Sequence, residues 1–185
     1  TWSAFAGPGV KRGGVDGRSP ANSPAVSQPN GGGSVPQFST RGTWADETDV
    51  RPTLLSLAGL TDDYVFDGRV ITELLQHDGW LDRVADLGGC YKQLNASVGK
   101  FGTDTLVAAT RALTTGSTAD DHTFTSVDAA LSTIGSRRDK LATDIKNLLD
   151  QAEFHGVSPD PHAVSAQLRS CDELLHQAAS LAGGH

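Results

Sequence analysis

The stretch FTSVDAALSTIGSRRDKLATDIKNLLDQA, residues 124–152, decides the fold of this chain. Its apolar residues recur at intervals of three and four, except where Arg138 takes one position of the stripe. The stripe consists of Phe124, Val127, Leu131, Ile134, Leu141, Ile145, Leu148 and Ala152. This is the period of one face of an α-helix, kept over about four heptads as in a coiled-coil seam. We therefore predict a long amphipathic helix that ends at Gly156.

A short connection follows, and the sequence SPDPHA at 158–163 begins a second helix. Asp160 can cap this helix, and Pro161 suits its first position because proline has no N–H to leave unpaired there. Its apolar stripe consists of Val164, Leu168, Cys171, Leu175, Ala178 and Ala182. Two stripes joined by so short a turn predict an antiparallel helical hairpin.

The sequence before residue 124 also has a helical period, beginning near Asp78. One stripe consists of Trp80, Leu81, Val84, Leu87, Tyr91, Leu94 and Val98, and the Gly88-Gly89 pair should weaken or kink this helix. A further helix, with a stripe of Leu106, Val107, Ala109, Ala112 and Leu113, should close at Gly116. Residues 76–185 are therefore predicted to form an antiparallel helical bundle or hairpin extension.

The N-terminal part has a different composition. Residues 1–6 alternate bulky and small side chains and predict a short strand, whereas residues 7–43 are mostly Gly, Pro, Ser and Asn and predict a long loop. A first core-type helix is predicted at 47–58, capped by Asp46 or Asp49, with Leu54, Leu55, Leu57 and Ala58 as its buried stripe and Gly59 as its end. A second short helix should run from Asp67 to Leu75. The predicted fold class is mainly α.

Composition narrows the range of functions. The 185 residues carry a net charge of −7, which argues against a nucleic-acid binder because such proteins usually show a basic face. The sequence contains no run of 18 apolar residues that would predict a membrane span, and no signal peptide is visible. The chain starts at Thr1 and contains no Met, so we expect a processed or excised piece of a longer polypeptide.

The segment DVRPTLLSLAGL at 49–60, followed by Asp67-Gly68-Arg69, resembles the C-terminal core segment of the alkaline phosphatase superfamily, which includes sulfatases and phosphodiesterases. SAFAGPGV at 3–10 resembles the strand and Gly-Pro element before that segment, and actinobacterial members carry a comparable helical tail. The resemblance covers residues 2–75, with the loop as an insertion. It implies two regions: 1–75, a remnant of an alkaline-phosphatase-like α/β core, and 76–185, a helical extension.

The resemblance implies a metal-dependent phosphoester or sulfoester hydrolase as the parent protein. Such enzymes use a Ser, Thr or formylglycine nucleophile and divalent metals such as zinc, calcium or magnesium. Nearly all of those groups precede this segment in the family, and no His follows the Gly-Pro here before His77. We therefore assign no catalytic, cofactor-binding or metal residue, and expect the chain alone to be non-catalytic. The alternative is a helical interaction module without enzymatic activity.

The partner implied is the remainder of the hydrolase core or another protein chain, and the resemblance makes a secreted or cell-envelope location an expectation. The acidic cluster Asp46, Glu47 and Asp49 could hold a cation, although capping of a helix N-terminus is the commoner role. Asp62 and Asp63 should form a turn.

Other polar candidates also have simple structural interpretations. The six histidines, namely His77, His122, His155, His162, His176 and His185, show no H-E-x-x-H spacing and should be solvated. Arg138 should cover the seam with its stem or pair with an acid such as Asp172 or Glu173. Asn95 begins a glycosylation pattern inside a helix, which argues against its use. Cys90 and Cys171 are either two buried thiols or a disulfide.

Overall fold

The structure is a computed structural model that describes residues 5–10, 45, 47–64, 67–76, 81–96, 98–115 and 122–183. The predicted strand and loop lie almost wholly outside these residues. A 3-10 helix at Glu47–Asp49 leads into α1 (Val50–Ala58), and a second one spans Thr72–Leu74. The long helices are α2 (Leu81–Asn95), α3 (Lys100–Thr115), α4 (His122–His155) and α5 (Pro161–Gly183). The mainly helical class is confirmed, and the described residues include no strand, only one isolated bridge between Val10 and Leu75.

Helices α4 and α5 form the predicted hairpin, and the predicted end signals act as expected. Gly156 adopts a left-handed φ of 65°, and the N–H of Val157 donates back to the carbonyl of Gln151 at 3.0 Å. The carboxylate of Asp160 accepts the first free N–H groups of α5, from His162 and Ala163, at 3.2 and 3.3 Å. Local chemistry therefore fixes both sides of this turn.

Helix α2 runs antiparallel to α4 and is bonded to α5. Tyr91 lies beside Lys146, whereas Leu94, further along α2, accepts a 3.4 Å hydrogen bond from Arg138, which is earlier in α4. A disulfide joins Cys90 of α2 to Cys171 of α5, which resolves the alternative left open by the sequence. The four long helices pack on one another as a bundle.

The core of the bundle is one cluster that draws on all four long helices. Its fully buried members include Leu87, Leu94, Ile145, Leu149, Leu174 and Leu175. The predicted stripes of α4 and α5 largely coincide with it, but Leu149 rather than Leu148 is the fully buried leucine of that pair. Phe124 lies at the exposed start of α4. Phe124 is exposed because α4 has 34 residues and α5 only 23, so α5 ends before it reaches the first turn of α4.

Of the predicted buried stripe of α3, only Ala112 belongs to the core, and the rest of the prediction is wrong. Leu106 and Leu113 are each 67% exposed, whereas Phe101 and Ala108 face the core together with Ala112. Helix α3 has its most extensive contacts with α5, and small alanine side chains let two helices approach closely. Helix α2 continues through the Gly88-Gly89 pair without interruption.

Helix α1 ends as predicted at Gly59, whose φ is 65° and whose N–H reaches the carbonyls of Leu55 and Ser56. Its buried side chains are Pro52 and Thr53, not the predicted leucine stripe, and Leu54 is 52% exposed. The predicted second helix at 67–75 is also wrong, since only Thr72–Leu74 form a 3-10 turn. Val70 and Ile71 instead lie in a non-helical segment, where both are buried and the N–H of Ile71 donates to Thr53 of α1.

Candidate functional site

The junction between residues 47–76 and the bundle buries charged side chains. Those enclosed here are Asp49, Arg69, Lys92 and Lys146, together with the carboxyl oxygen Oε1 of Glu153. Burial of a charge is costly unless an opposite charge and hydrogen bonds compensate for it. The geometry of the junction is therefore tightly constrained, and it contains residues of the segment 49–69.

Asp49 is the centre of the junction and is completely buried. Its carboxylate accepts a hydrogen bond from the backbone N–H of Arg69 at 2.9 Å and pairs with Lys92 Nζ at 3.0 Å. The sequence predicts that Asp46 or Asp49 caps α1. Asp49 occupies the N-cap position, but its side chain makes no cap hydrogen bond, so the capping prediction is wrong for Asp49, whose carboxylate instead pairs with Lys92 of α2.

Thr53 continues the same connection one helical turn later. Its hydroxyl donates to the carbonyl of Asp49 at 2.6 Å and accepts the N–H of Ile71 at 3.0 Å. The Asp-x-x-Pro-Thr spacing thus places two side chains on one face of α1, where each holds a backbone N–H of the segment 69–71. Asp49 and Thr53 therefore both hold the segment 69–71 against the start of α1.

Two glycines allow this close packing. A Cβ on Gly68 would lie 2.2 Å from the backbone oxygen of Thr48, which no side chain could tolerate. A Cβ on Gly88 would lie 2.9 Å from Cδ of Arg69, so the glycine in α2 makes room for the buried arginine. Arg69 Nη1 donates to the carbonyl of Val70 at 3.1 Å. The Asp-Gly-Arg sequence is therefore a tight turn packed between α1 and α2.

Lys146 and Glu153 of α4 hold the other side of the turn. Lys146 Nζ donates to the carbonyl of Gly68 at 3.1 Å and pairs with Asp150. Glu153 Oε2 accepts the N–H of Val70 at 3.4 Å. Burial raises the pKa of Glu153 to about 8, although Lys146 and Arg69 act in the opposite direction.

A polar cleft of about 390 Å³ opens beside the junction, lined by Thr48, Asp67, Tyr91, Lys92, Asn95, Ala96 and Val98. Asn95 donates a 3.1 Å hydrogen bond to the hydroxyl of Tyr91. Burial raises the pKa of Tyr91 to about 12, with Asp67 adding to the effect, so the phenol keeps its proton at neutral pH. Since Lys92 is already neutralised by Asp49, this cleft offers neither a reactive nucleophile with its base nor an uncompensated positive charge.

No family model matches this chain, and neither does any curated protein or solved structure. Within the described residues, no three His, Cys, Asp or Glu side chains come together as a metal site would require. No helix in the described part of the chain has both the length and the apolar character to cross a membrane.

Among the acidic residues singled out in the sequence, those that the structure describes do not converge on a metal site. Asp46 lies outside the described residues, and Glu47 is exposed at the surface of the 3-10 helix. Asp62 forms the predicted turn: it accepts the N–H of Tyr64 at 2.8 Å and pairs with Arg51. The Tyr64 N–H and then Arg51 lower the pKa of Asp62, and Asp63 is exposed beside it.

The remaining candidates have simple surroundings. Four histidines, namely His122, His155, His162 and His176, are exposed on the helices as predicted, whereas His77 and His185 lie outside the described residues. Arg138 covers the ring of the core residue Phe101 at 5.4 Å, in line with the first of the two predicted roles, and the acid that it pairs with is Asp139 rather than Asp172 or Glu173.

Lys92, Lys146 and Glu153 were not predicted as junction residues. A signal for two of them exists in the sequence, because Ala142, Lys146, Leu149 and Glu153 are spaced by four, three and four along α4. This is a second helical stripe beside the apolar seam, and two of its four members are charged. A charged residue at such a position indicates a buried polar partner from another segment.

An apolar groove lies on the opposite part of the α4–α5 hairpin. It encloses about 580 Å³ and is lined by Ala129, Ala130, Thr133, Ile134, Arg137, His176, Gln177, Ser180 and Leu181. Arg137 Nη1 donates to Gln177 across it at 2.6 Å. The alanines and Ser180 leave space that larger side chains would fill.

Proposed function

We propose that this chain is the C-terminal, non-catalytic part of a metal-dependent phosphoester or sulfoester hydrolase-like protein of the alkaline phosphatase superfamily. Residues 47–76 would be framework from its core, and the bundle would be a helical extension that holds this framework in place. The nucleophile and the divalent metals would belong to the rest of the parent protein.

The observation that carries this proposal is the orientation of side chains in the segment that resembles the family. Its polar residues Asp49, Thr53 and Arg69 point inward and are engaged with the chain itself. Its apolar residues Leu54 and Leu60 point outward and are 52% and 56% exposed. Leu54 lies in α1 and Leu60 lies two residues after its end, so the segment exposes large apolar side chains while its polar ones are engaged. This is expected of an element that supports another layer, and the proposed partner for these leucines is the remainder of the hydrolase core.

The disulfide supports a location outside a reducing cytosol. Cys90 and Cys171 are both buried, and structural disulfides form and persist mainly in secreted, periplasmic or cell-surface proteins. This agrees with the location that the family resemblance implies.

The test is an activity assay on the purified chain with chromogenic phosphomonoester, phosphodiester and sulfate ester substrates, each with zinc, magnesium and calcium. The proposal expects no turnover above a metal-only blank. Turnover that survives purification and is lost on Asp49→Asn would contradict it. The coding sequence upstream of Thr1 tests the parentage separately, because Asp and His ligands and a nucleophile should be encoded there.

The second candidate function is a helical interaction module without enzymatic activity. The apolar groove between α4 and α5 favours it, since amphipathic helices bind in such grooves. A partner helix bound there should be released by Ala130→Glu and retained by Leu54→Gln. The hydrolase-framework proposal expects the reverse sensitivity: Leu54→Gln should abolish binding of the partner, and Ala130→Glu should leave that binding intact.

A further inference from the structure

Glu153 lies near the end of α4, between the bundle and the turn at residues 67–71. Its Oε2 accepts the N–H of Val70, and its main-chain carbonyl accepts the hydroxyl of Ser56 at 3.2 Å. Its Oε1 is shielded from solvent and has no hydrogen-bond partner among the described residues. One residue of the bundle thus touches both α1 and the turn that follows it.

We propose that Glu153 is a proton-dependent latch: its neutral carboxyl keeps the turn at residues 67–71 closed on α4, and its ionisation releases that turn. The inference concerns the junction itself and does not depend on the parentage of the chain.

The geometry supports a latch because the cations beside Glu153 also hold backbone carbonyls. Lys146 Nζ donates to Gly68 O, and Arg69 Nη1 donates to Val70 O. In the closed turn Oε1 has no hydrogen bond in either form, but an ionised carboxylate would also keep charge on this shielded oxygen, which costs much more than leaving a neutral oxygen unpaired. Opening the turn exposes that oxygen to water and lets both cations move toward the carboxylate.

Charged groups around Glu153 also affect whether its carboxyl is neutral or ionised in the closed turn. From α4 itself Asp150 acts against ionisation of Glu153, whereas Lys146 favours it. The turn contributes Arg69, which also favours ionisation. Behind the turn, the ion pair of Asp49 with Lys92 is compensated internally. Burial outweighs the two favourable cations, so the neutral form is preferred in the closed state.

The direction of the pH dependence follows from linkage. The closed-state pKa of Glu153 is raised to about 8 from an ordinary value of 4.5. The carboxyl therefore stabilises the closed turn fully below pH 4.5, and this stabilisation is lost as the pH rises towards 8. Between these values the opening equilibrium should increase by about tenfold per pH unit, and above the upper value it should level off.

The test is amide hydrogen exchange of Val70, expressed as protection after the intrinsic pH dependence of exchange is divided out. In the wild-type chain, protection should fall by about tenfold per unit between pH 5.5 and 7.5. In Glu153→Gln, which mimics the neutral carboxyl, protection should stay high and independent of pH. Asp150→Asn and His155→Gln are matched controls on the same helix, and both should retain the wild-type slope.

Two results would overturn the latch: a wild-type slope that persists in Glu153→Gln, or a slope that disappears in His155→Gln. If Glu153→Gln does not fold, a carbon-13 titration of the Glu153 carboxyl in the wild-type chain decides the matter. A midpoint near 8 that coincides with the levelling of Val70 exchange supports the latch, and a midpoint near the ordinary 4.5 refutes it.

Discussion

Reduction of the Cys90–Cys171 disulfide should cause a large loss of stability. The bond joins α2 to α5 across 81 residues, and both cysteines are buried in the core. A bond that closes a loop of this length restricts the unfolded chain far more than the folded one. The loop-entropy relation gives about 4.5 kcal/mol of stabilisation at 25 °C. Typical domains have only about 5–15 kcal/mol in total, so the reduced protein should be marginal.

The assay is urea unfolding of the wild-type chain, oxidised and fully reduced, because this comparison changes one bond and no side chain. The reduced form should unfold at lower urea with a somewhat larger slope, since its unfolded state is more expanded. A Cys90→Ala/Cys171→Ala variant should not respond to reductant. A difference below about 1 kcal/mol between the two forms, or free thiols detected in the unreduced unfolded chain, would refute this reasoning.

The remaining predictions concern the junction and use matched controls. Gly68→Ala should destabilise the fold by about 2 kcal/mol or more, because its Cβ would strike the backbone of the 3-10 helix, whereas Gly135→Ala, with open space around it in α4, should stabilise by about 0.5–1 kcal/mol. Calorimetric melting of both variants checks this, and a stable Gly68→Ala would contradict the turn packing. Lys92→Met should remove about 3–5 kcal/mol by leaving Asp49 buried without its cation, whereas Lys140→Met, in an exposed pair, should change stability by less than about 0.5 kcal/mol. If denaturant unfolding gave equal losses of free energy for these two lysine variants, the buried pair would contribute no more stability than an exposed one.

The α4–α5 hairpin could be predicted from sequence because its signals are local. Gly156, Asp160 and Pro161 each act on backbone within a few residues, and the apolar period of both helices is long enough to show which face is buried. The hairpin therefore needed no knowledge of the rest of the molecule.

The buried face of α3 could not be predicted in the same way. Large apolar residues indicate a core face only when burial is the main requirement. Here close approach to α5 favours small side chains: Ala112, which the prediction included, and Ala108, which it did not. Leu106 and Leu113 thus remained at the surface. At residues 67–75, helical spacing of apolar residues was misleading because Gly68 must fit against the 3-10 helix in a tight turn.

The junction was also beyond local prediction. Asp49 is an ordinary acid at a helix start until Lys92, which lies 43 positions later, is brought against it by the packing of α2. No short window contains both partners. What the sequence does show is the Asp-x-x-Pro-Thr spacing, and the structure assigns Asp49 and Thr53 to backbone contacts with Arg69 and Ile71.

The claim that this segment is framework can be tested most directly at Asp49. Unfolding free energy and calorimetric titration with zinc, magnesium and calcium should be measured for the wild-type chain, Asp49→Asn and Glu47→Gln, an exposed neighbour in the same 3-10 helix. We predict that Asp49→Asn loses about 3 kcal/mol of stability, that Glu47→Gln loses almost none, and that none of the three proteins binds a cation stoichiometrically. A cation bound one-to-one by the wild-type chain and by Glu47→Gln, and lost in an Asp49→Asn variant of unchanged stability, would contradict the claim.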